Sequence, residues 1–375
     1  MTQRRIVIMS IFIILVSASV LVAQGVAEHV PSTPENVVWG AYPEDKPPVL
    51  TVESGAVVRI DTLTHAGSTQ AEDPERFLGQ FGVAPNEILQ DVVDFWDSKS
   101  DRPREGYGPH VITGPIYIEG AVPGDMLEVE VLSLETRVPY GINNTGATTG
   151  VFSVDYPGAP PSGEPPFEIP PIRHFIRSAV VGGQEVALFS DDIHVPLAPF
   201  MGVMAVAPEA PTVGQPGVTV AGIQGSRPPG PFGGNLDIKD LTVGSTLYLP
   251  VFHPGALFYV GDPHSVQGDG EVSGTAIEQA LTGEFRLVLH KGQRLDTPRA
   301  ETATHHILMG IDLDLDRALR KAVIEAVNFL VEEYGLTRSR AYSLTSIAVD
   351  FRIAEAVDLT QVVTAFVPKA IFLDR

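Results

Sequence analysis

The chain of 375 residues contains no cysteine. Disulfides, thiolate nucleophiles, cysteine zinc sites and a cysteine-linked lipid anchor are therefore excluded. Basic residues are scarce as well: 25 Lys and Arg stand against 46 Asp and Glu, a formal net charge of −21. A protein that grips nucleic acid by its phosphates needs a basic face, so nucleic acid is not an expected partner. What is present is a globular composition, 44% hydrophobic and 19% charged, long enough for one large or two ordinary domains. The 36 glycines and 32 prolines are scattered without a collagen-like period, which predicts many turns between short strands.

The N-terminus reads as an export signal. Arg4 and Arg5 precede an almost wholly apolar run from Ile6 to Ala23, and Gly25-Val26-Ala27 or Leu21-Val22-Ala23 supplies the small residues of a cleavage site. Because no stop-transfer charge cluster follows, residues 1–27 are expected to be a removed signal peptide rather than a retained membrane anchor. The mature protein is then periplasmic or secreted, and touches a membrane only through that segment.

Period-2 alternation dominates the next two hundred residues. Residues 49–63 predict two short strands around Ser54-Gly55, and residues 87–96 a short helix with Ile88, Val92, Val93 and Trp96 on one stripe. After the Pro123-Gly124-Asp125 turn, Leu127, Val129 and Val131 alternate with Glu128 and Glu130, so one face is buried and one wet. Aligning Gly124 with Gly244 sets Ile116 on Leu236, Ile118 on Ile238, Leu127 on Leu247, Val129 on Leu249 and Val131 on Val251. Either an internal duplication or β alternation alone accounts for these matches. Residues 157–171 are proline-rich and cannot form a central strand; they read as a joint, lid or arm. Near the C-terminus an amphipathic helix is predicted from Asp316, as N-cap, to Gly335, with Leu319, Val323, Val327, Leu330, Val331 and Tyr334 inward. A second helix follows Thr337, with Ala341, Leu344 and Ile347 inward, and two strands finish the chain. The expected fold is mainly β, built from sandwich- or barrel-like units with duplication as one reading, and closed by an α+β part. The division read from sequence is 28–210 and 211–375.

The chemistry concentrates between Asn235 and Glu271. Asp262 and His264 stand two apart after an apolar, β-prone run, and residues at i and i+2 of an extended stretch point the same way. Both can reach one divalent cation; the plain alternative is a turn cap and a hydrogen-bonded histidine. Asn235 and Asp237 repeat the spacing after Gly233-Gly234, Asp237 as a further ligand and Asn235 as a group that orients substrate or holds an oxyanion. Asp269 and Glu271 flank Gly270. Glu271 is the expected proton carrier, with the roles of Asp269 and Glu271 interchangeable. Gln267 is placed to bond substrate. From the first half, His65, His110 and His194 are candidate ligands, His65 foremost because it follows a strand. Asp312, Asp314 and Asp316 fail the calcium-loop pattern, since Arg317 stands where glycine is needed and Val323 where glutamate is needed. His305 and His306 face opposite sides of a strand. No G-x-S-x-G elbow occurs.

Several blocks in this order resemble the acetamidase/formamidase family: TGPIYIEGAVPGD from Thr113, HVPLAPFMGVMAVAPE from His194, GGNLD from Gly233, GDPHSVQGDGE from Gly261, GTAIE from Gly274, GIDLDLDRAL from Gly310 and SLTSIAVDFRI from Ser343. The resemblance runs from about Val49 to Phe372. It implies a mainly β protein that hydrolyses a small linear amide such as formamide or acetamide to a carboxylate and ammonia. It further implies a divalent metal, zinc ahead of calcium, and a homodimer. Many family members carry an aspartate where Thr64 and His65 stand here, which keeps a changed ligand set or substrate in view. A hydrolase of a larger amide or an ester, and a non-catalytic binding protein stiffened by a cation, are the competing readings.

Overall fold

In a computed structural model, residues 27–146, 149–153, 156 and 169–373 are described. All of the expected signal segment except Ala27, and residues 157–168 of the proline-rich stretch, lie outside the described residues. The strands in chain order are β1 (Glu28–Val30), β2 (Val37–Trp39), β3 (Leu50–Val52), β4 (Ala56–Asp61), β5 (Val111–Ile118), β6 (Met126–Thr136), β7 (Tyr140–Thr145), β8 (Ile172–Val181), β9 (Gln184–Ser190), β10 (Ile193–Pro196), β11 (Phe200–Val206), β12 (Gly233–Asn235), β13 (Thr246–Pro250), β14 (Phe258–His264), β15 (Leu281–His290), β16 (Arg299–Glu301), β17 (His305–Asp312), β18 (Asp350–Asp358) and β19 (Thr360–Pro368). The helices are the single kinked turn α1 (His65–Ser68), then α2 (Pro74–Gly79), α3 (Gln90–Ser98), α4 (Leu315–Tyr334) and α5 (Arg338–Ala348).

Three sheets organise these strands. The largest runs β1-β4-β15-β6-β13-β16-β17-β19-β18, the second β12-β11-β14-β5-β2 with β3 joined to β5, and the third β10-β9-β8-β7. The two large sheets bury one apolar core between them. Ile60, Leu127, Val129, Leu247, Leu249 and Phe285 come from the first, and Ile112, Ile116, Val203, Phe258 and Val260 from the second. Strands from either side of position 210 alternate within both large sheets. The pair β3 and β4 forms as expected around Gly55, but the two strands part company: β3 joins β5 and β4 joins β15.

The two segments aligned on Gly124 and Gly244 lie side by side as antiparallel β6 and β13, with Leu127 opposite Leu249 and Val129 opposite Leu247. Their hydrogen bonds repeat about a local two-fold. Gly124 N–H donates to Val251 O at 3.0 Å and Gly244 N–H to Val131 O at 2.8 Å; Val251 N–H donates to Asp125 O at 3.0 Å and Val131 N–H to Ser245 O at 3.0 Å. The alternation read from sequence is thus expressed twice, at equivalent turns, in the middle of one sheet.

The C-terminal helices cover β17 and β19. Helix α4 begins at Asp314, whose carboxylate accepts from Arg317 N–H, so Asp316 sits in the first turn instead of at the cap. Gly335 ends it in the left-handed conformation, and Thr337 caps α5. Val323, Val327, Leu330, Val331 and Tyr334 pack inward as expected, but Leu319 and, on α5, Ile347 are exposed, and Ala318, Ala322 and Ala326 are buried with them. A Cβ on Gly310 of β17 would stand 2.0 Å from Ala318 O, so the helix axis lies too close for large side chains there. In α3 it is Val92 and Phe95 that are buried.

Candidate active site

Strand pairing in the second sheet brings the expected residues together. Val203 of β11 pairs with Asn235 of β12 on one side and with Gly261 of β14 on the other. Just past Asn235 the chain folds over β11, with Leu236 N–H donating to Gly202 O at 3.0 Å; this sets Asp237 above Gly202. A Cβ on Gly202 would stand 2.4 Å from Asp237 Oδ1, 2.7 Å from Asp262 Oδ2 and 2.9 Å from His264 Cε1. Only glycine leaves room for that convergence. Asp237, Asp262 and Glu271 all have positive φ, at 47°, 51° and 44°. They are three of the six non-glycine residues in that region among the described residues. Such backbone costs on the order of 1–3 kcal/mol each and tends to persist where the surrounding structure holds it for a purpose.

The resulting cluster is buried. His264 Nε2 lies 3.3 Å from Asp262 Oδ2 and 3.2 Å from Glu278 Oε1, and its Nδ1 lies 3.5 Å from Asp237 Oδ1. His65 Nδ1 is 3.5 Å from Glu278 Oε2 and 3.8 Å from Asp262 Oδ1; His110 Nε2 is 3.6 Å from Asp262 Oδ2. Three overlapping groups have ligand atoms within 4.8 Å of one another: His65, His110 and Asp262; Asp237, His264 and Glu271; and Asp262, His264 and Glu278.

The acids and imidazoles push each other's proton affinities apart. Burial alone would lower the His264 pKa, but Glu278 and Asp262 outweigh it and raise it well above the ordinary imidazole range. Burial would raise Asp262, but His110 and His264 hold its carboxyl well below the usual carboxylate value. Burial holds Glu271 well above that value, reinforced by Asp237 and Asp358, and Asp237 is raised in the same way. Burial keeps His110 below the usual imidazole value.

This donor set fits a divalent cation. His65 Nδ1, both carboxylate oxygens of Asp237, Asp262 Oδ1 and both ring nitrogens of His264 are buried without a well-formed hydrogen bond, and most of them meet only in the ion pairs of 3.2–3.8 Å given above. Leaving so many polar atoms unsatisfied in a protein interior is costly unless something else binds them. His110 adds a second sign: its Nδ1 lies 3.0 Å from Ser226 Oγ and 3.2 Å from Ser226 O, which anchors the ring and points Nε2 at Asp262, 3.6 Å away. That arrangement, a histidine anchored through its far nitrogen, suits a metal ligand. Mixed imidazole and carboxylate donors suit zinc better than the all-oxygen shells of calcium.

Of the residues singled out from sequence, Asp237, Asp262, His264, Glu271, His65 and His110 therefore converge. Asn235 and Gln267 are buried beside them. Asp269 stands apart: it is exposed, with Arg352 Nη2 at 2.7 Å and Lys239 Nζ at 3.2 Å. Partial burial acts the other way, but these two cations hold its carboxyl below the ordinary range. Its neighbour Gly270 explains the split, because Gly270 N–H donates to Ala354 O and locks the turn against β18, turning Asp269 out and Glu271 in. His194 is exposed on β10. Asn235 donates an N–H of its amide to Asp358 Oδ2, which leaves its oxygen rather than that N–H free and disfavours it as an oxyanion donor. Sequence reasoning did not single out Glu278, Asp358, Glu355 or Gly202. Glu278 closes the GTAIE block and pairs across to Ile142 and His264, a contact between distant segments that spacing cannot reveal.

Comparison with known proteins bears on this geometry. The sequence profile of the Acetamidase/Formamidase family matches residues 211–374, which include every site residue except His65, His110 and Gly202. A formamidase of Methylophilus methylotrophus is 26% identical over 88% of this chain and 88% of its own length. Along most of its length the chain is similar to proteins named formamidase and acetamidase. An acetamidase of Mycolicibacterium smegmatis is 28% identical over 62% of this chain and 71% of its own. The crystal structure of an acetamidase from Yersinia enterocolitica superposes with a TM-score of 0.70 at 26% identity, covering 94% of this chain and 97% of that one. An acetamidase from Bacillus halodurans gives 0.69 at 25%, covering 92% and 98%. The mainly β architecture with its C-terminal helices is thus the fold of these solved acetamidases.

Proposed function

We propose that the chain is an exported, divalent-cation-dependent amidohydrolase that converts a small linear amide and water into a carboxylate and ammonium. The amidase activity is supported by the family and by relatives named formamidase and acetamidase along most of the chain. The observation that carries the cation is the buried convergence of ligand atoms on His65, Asp237, Asp262 and His264, which lack well-formed hydrogen bonds. His65, His110, Asp262, His264, Asp237 and Glu278 supply the candidate ligands, in three overlapping sets, and their mixed nitrogen and oxygen donors suit zinc. When bound it would polarise the amide carbonyl and make a water more acidic. Glu271, buried against Asp237 and His264, handles protons: it takes one from the attacking water and returns one to the departing nitrogen. The enclosed site excludes bulk water, which strengthens each of these interactions.

Export is read from residues 1–27, and N-terminal sequencing of protein recovered from the periplasm or medium tests it; a chain still starting at Met1 contradicts removal. We take the assembly to be a homodimer, which light scattering tests. The activity test is ammonia release from formamide and acetamide, with and without chelator. Release that stops on chelation and returns with zinc is the expected result. No release under any condition from folded protein overturns the reading.

A further inference from the structure

Asp237 lies on the loop that follows β12, Glu271 on the loop that follows β14, and β18 runs past both. Arg352 belongs to β18 and reaches the two loops with one guanidinium. Its Nη2 donates to Asp269 Oδ1 at 2.7 Å and its Nε to Asp269 Oδ2 at 2.9 Å. The same group meets Asp240, with Nη2 at 3.0 Å from Oδ2 and Nη1 at 3.2 Å from Oδ1. Its Cζ stands 4.3 Å from the centre of the Phe366 ring on β19, which backs the plane of the fork. Asp240 is three residues past Asp237, and Asp269 is two before Glu271. Further in, Gln267 Nε2 donates to the carbonyl of Asp237 at 3.0 Å and to that of Ala354 at 3.5 Å. Gly270 N–H donates to Ala354 O at 3.0 Å, and Ala356 N–H to Gly270 O at 3.1 Å. The same three segments are therefore tied twice, by a buried amide and by a half-buried ion-pair fork.

Both acids need such support. Neither loop position lies in a helix or strand, and Asp237 and Glu271 hold left-handed backbone at φ 47° and 44°. Non-glycine residues keep that conformation only where their surroundings fix it. A lone surface ion pair does little of this, but a bidentate fork shared between two carboxylates and backed by an aromatic ring fixes geometry. We propose that Arg352 is a positioning residue of the site: by holding Asp240 and Asp269 together it sets the angle at which Asp237 and Glu271 enter the cluster. This rests on the amidase and cation reading and adds to it a residue that governs the cluster from outside.

The test compares wild type, Arg352→Met, Arg352→Lys, Asp269→Asn and the double variant of Arg352→Met with Asp269→Asn. The readouts are kcat and KM on acetamide and formamide, zinc retention against a competing chelator, and melting temperature. Arg352→Met is expected to lose about 10- to 100-fold in kcat and to hold zinc about tenfold less tightly. Its KM and melting temperature should stay close to wild type. Arg352→Lys keeps the charge without the fork and falls between. Asp269→Asn loses less, and adding it to Arg352→Met changes little further, since the contact is already gone. Wild-type kcat and zinc retention in Arg352→Met overturn the proposal, as do kcat losses that merely follow melting temperature across the set. If Arg352→Met does not fold, unchanged kcat and zinc retention in Asp269→Asn overturn it instead. A wild type inactive on both amides overturns the amidase reading, and zinc retention in the variants then still decides the role of Arg352.

Discussion

Gly202 sets how closely the site's acids approach one another. Gly202→Ala would drive a methyl group into Asp237 and Asp262, so we expect at least a hundredfold loss of kcat/KM with weaker metal retention, read by steady-state kinetics and elemental analysis. A variant that keeps full activity and metal would show the convergence to be dispensable. Glu271→Gln preserves shape and removes the proton carrier. Its kcat should fall about 10²- to 10⁴-fold with KM and melting temperature little changed. Much of this residue-scale picture was legible: Asp237, Asp262, His264 and Glu271 announce themselves by glycine-flanked i, i+2 spacing. His65 and His110 were candidates only as histidines, and Glu278, Asp358 and Gly202 gave no sign, because sheet pairing and loop return bring them in from distant segments, and a glycine's role as space leaves no chemical mark. Asp269 resembled Glu271 in sequence and parted from it only through the left-handed turn that sends one carboxylate inward and the other to Arg352.

Elements were read well where local chemistry decides them. Caps marked the helix ends to within two residues, since Asp314, Gly335 and Thr337 act on their own backbone neighbours. On α4 only Leu319 fell outside the expected inward face, while the buried Ala318, Ala322 and Ala326 went unread because Gly310 brings the helix onto β17, a tertiary contact that favours alanine over leucine. Gly310→Ala is expected to lower stability by about 1–3 kcal/mol, measured by denaturant unfolding, because the new methyl meets the helix backbone. Along the same sheet Glu301 joins β16 to its surroundings through His306 at 3.2 Å, Lys369 at 2.8 Å and the Tyr248 hydroxyl at 2.9 Å. These partners, His306 foremost, push its pKa from 4.5 down to about 2 despite partial burial. A lowered folded-state pKa gives stability that is fully present above the unfolded value and lost as pH falls through the folded one. The melting-temperature gap between wild type and Glu301→Gln should therefore be greatest above pH 4.5 and close toward pH 2. A gap independent of pH would contradict this.

At the scale of the whole molecule, the sequence alternation around Gly124 and Gly244 is realised as two equivalent strands about a local two-fold, and their sheet forms the floor on which the second sheet and its site rest. Asp237, Asp262, Glu271 and Glu278 crowd one buried site, and the proposed cation rests on that convergence. The most direct test is the metal content of exhaustively dialysed protein, by elemental mass spectrometry, paired with its melting temperature before and after chelation. The account predicts at least about one equivalent of tightly held divalent ion, zinc by preference, and a melting temperature that drops when it is removed and recovers when it returns. Folded protein that retains no divalent ion, binds none when offered, and melts at the same temperature throughout would contradict it.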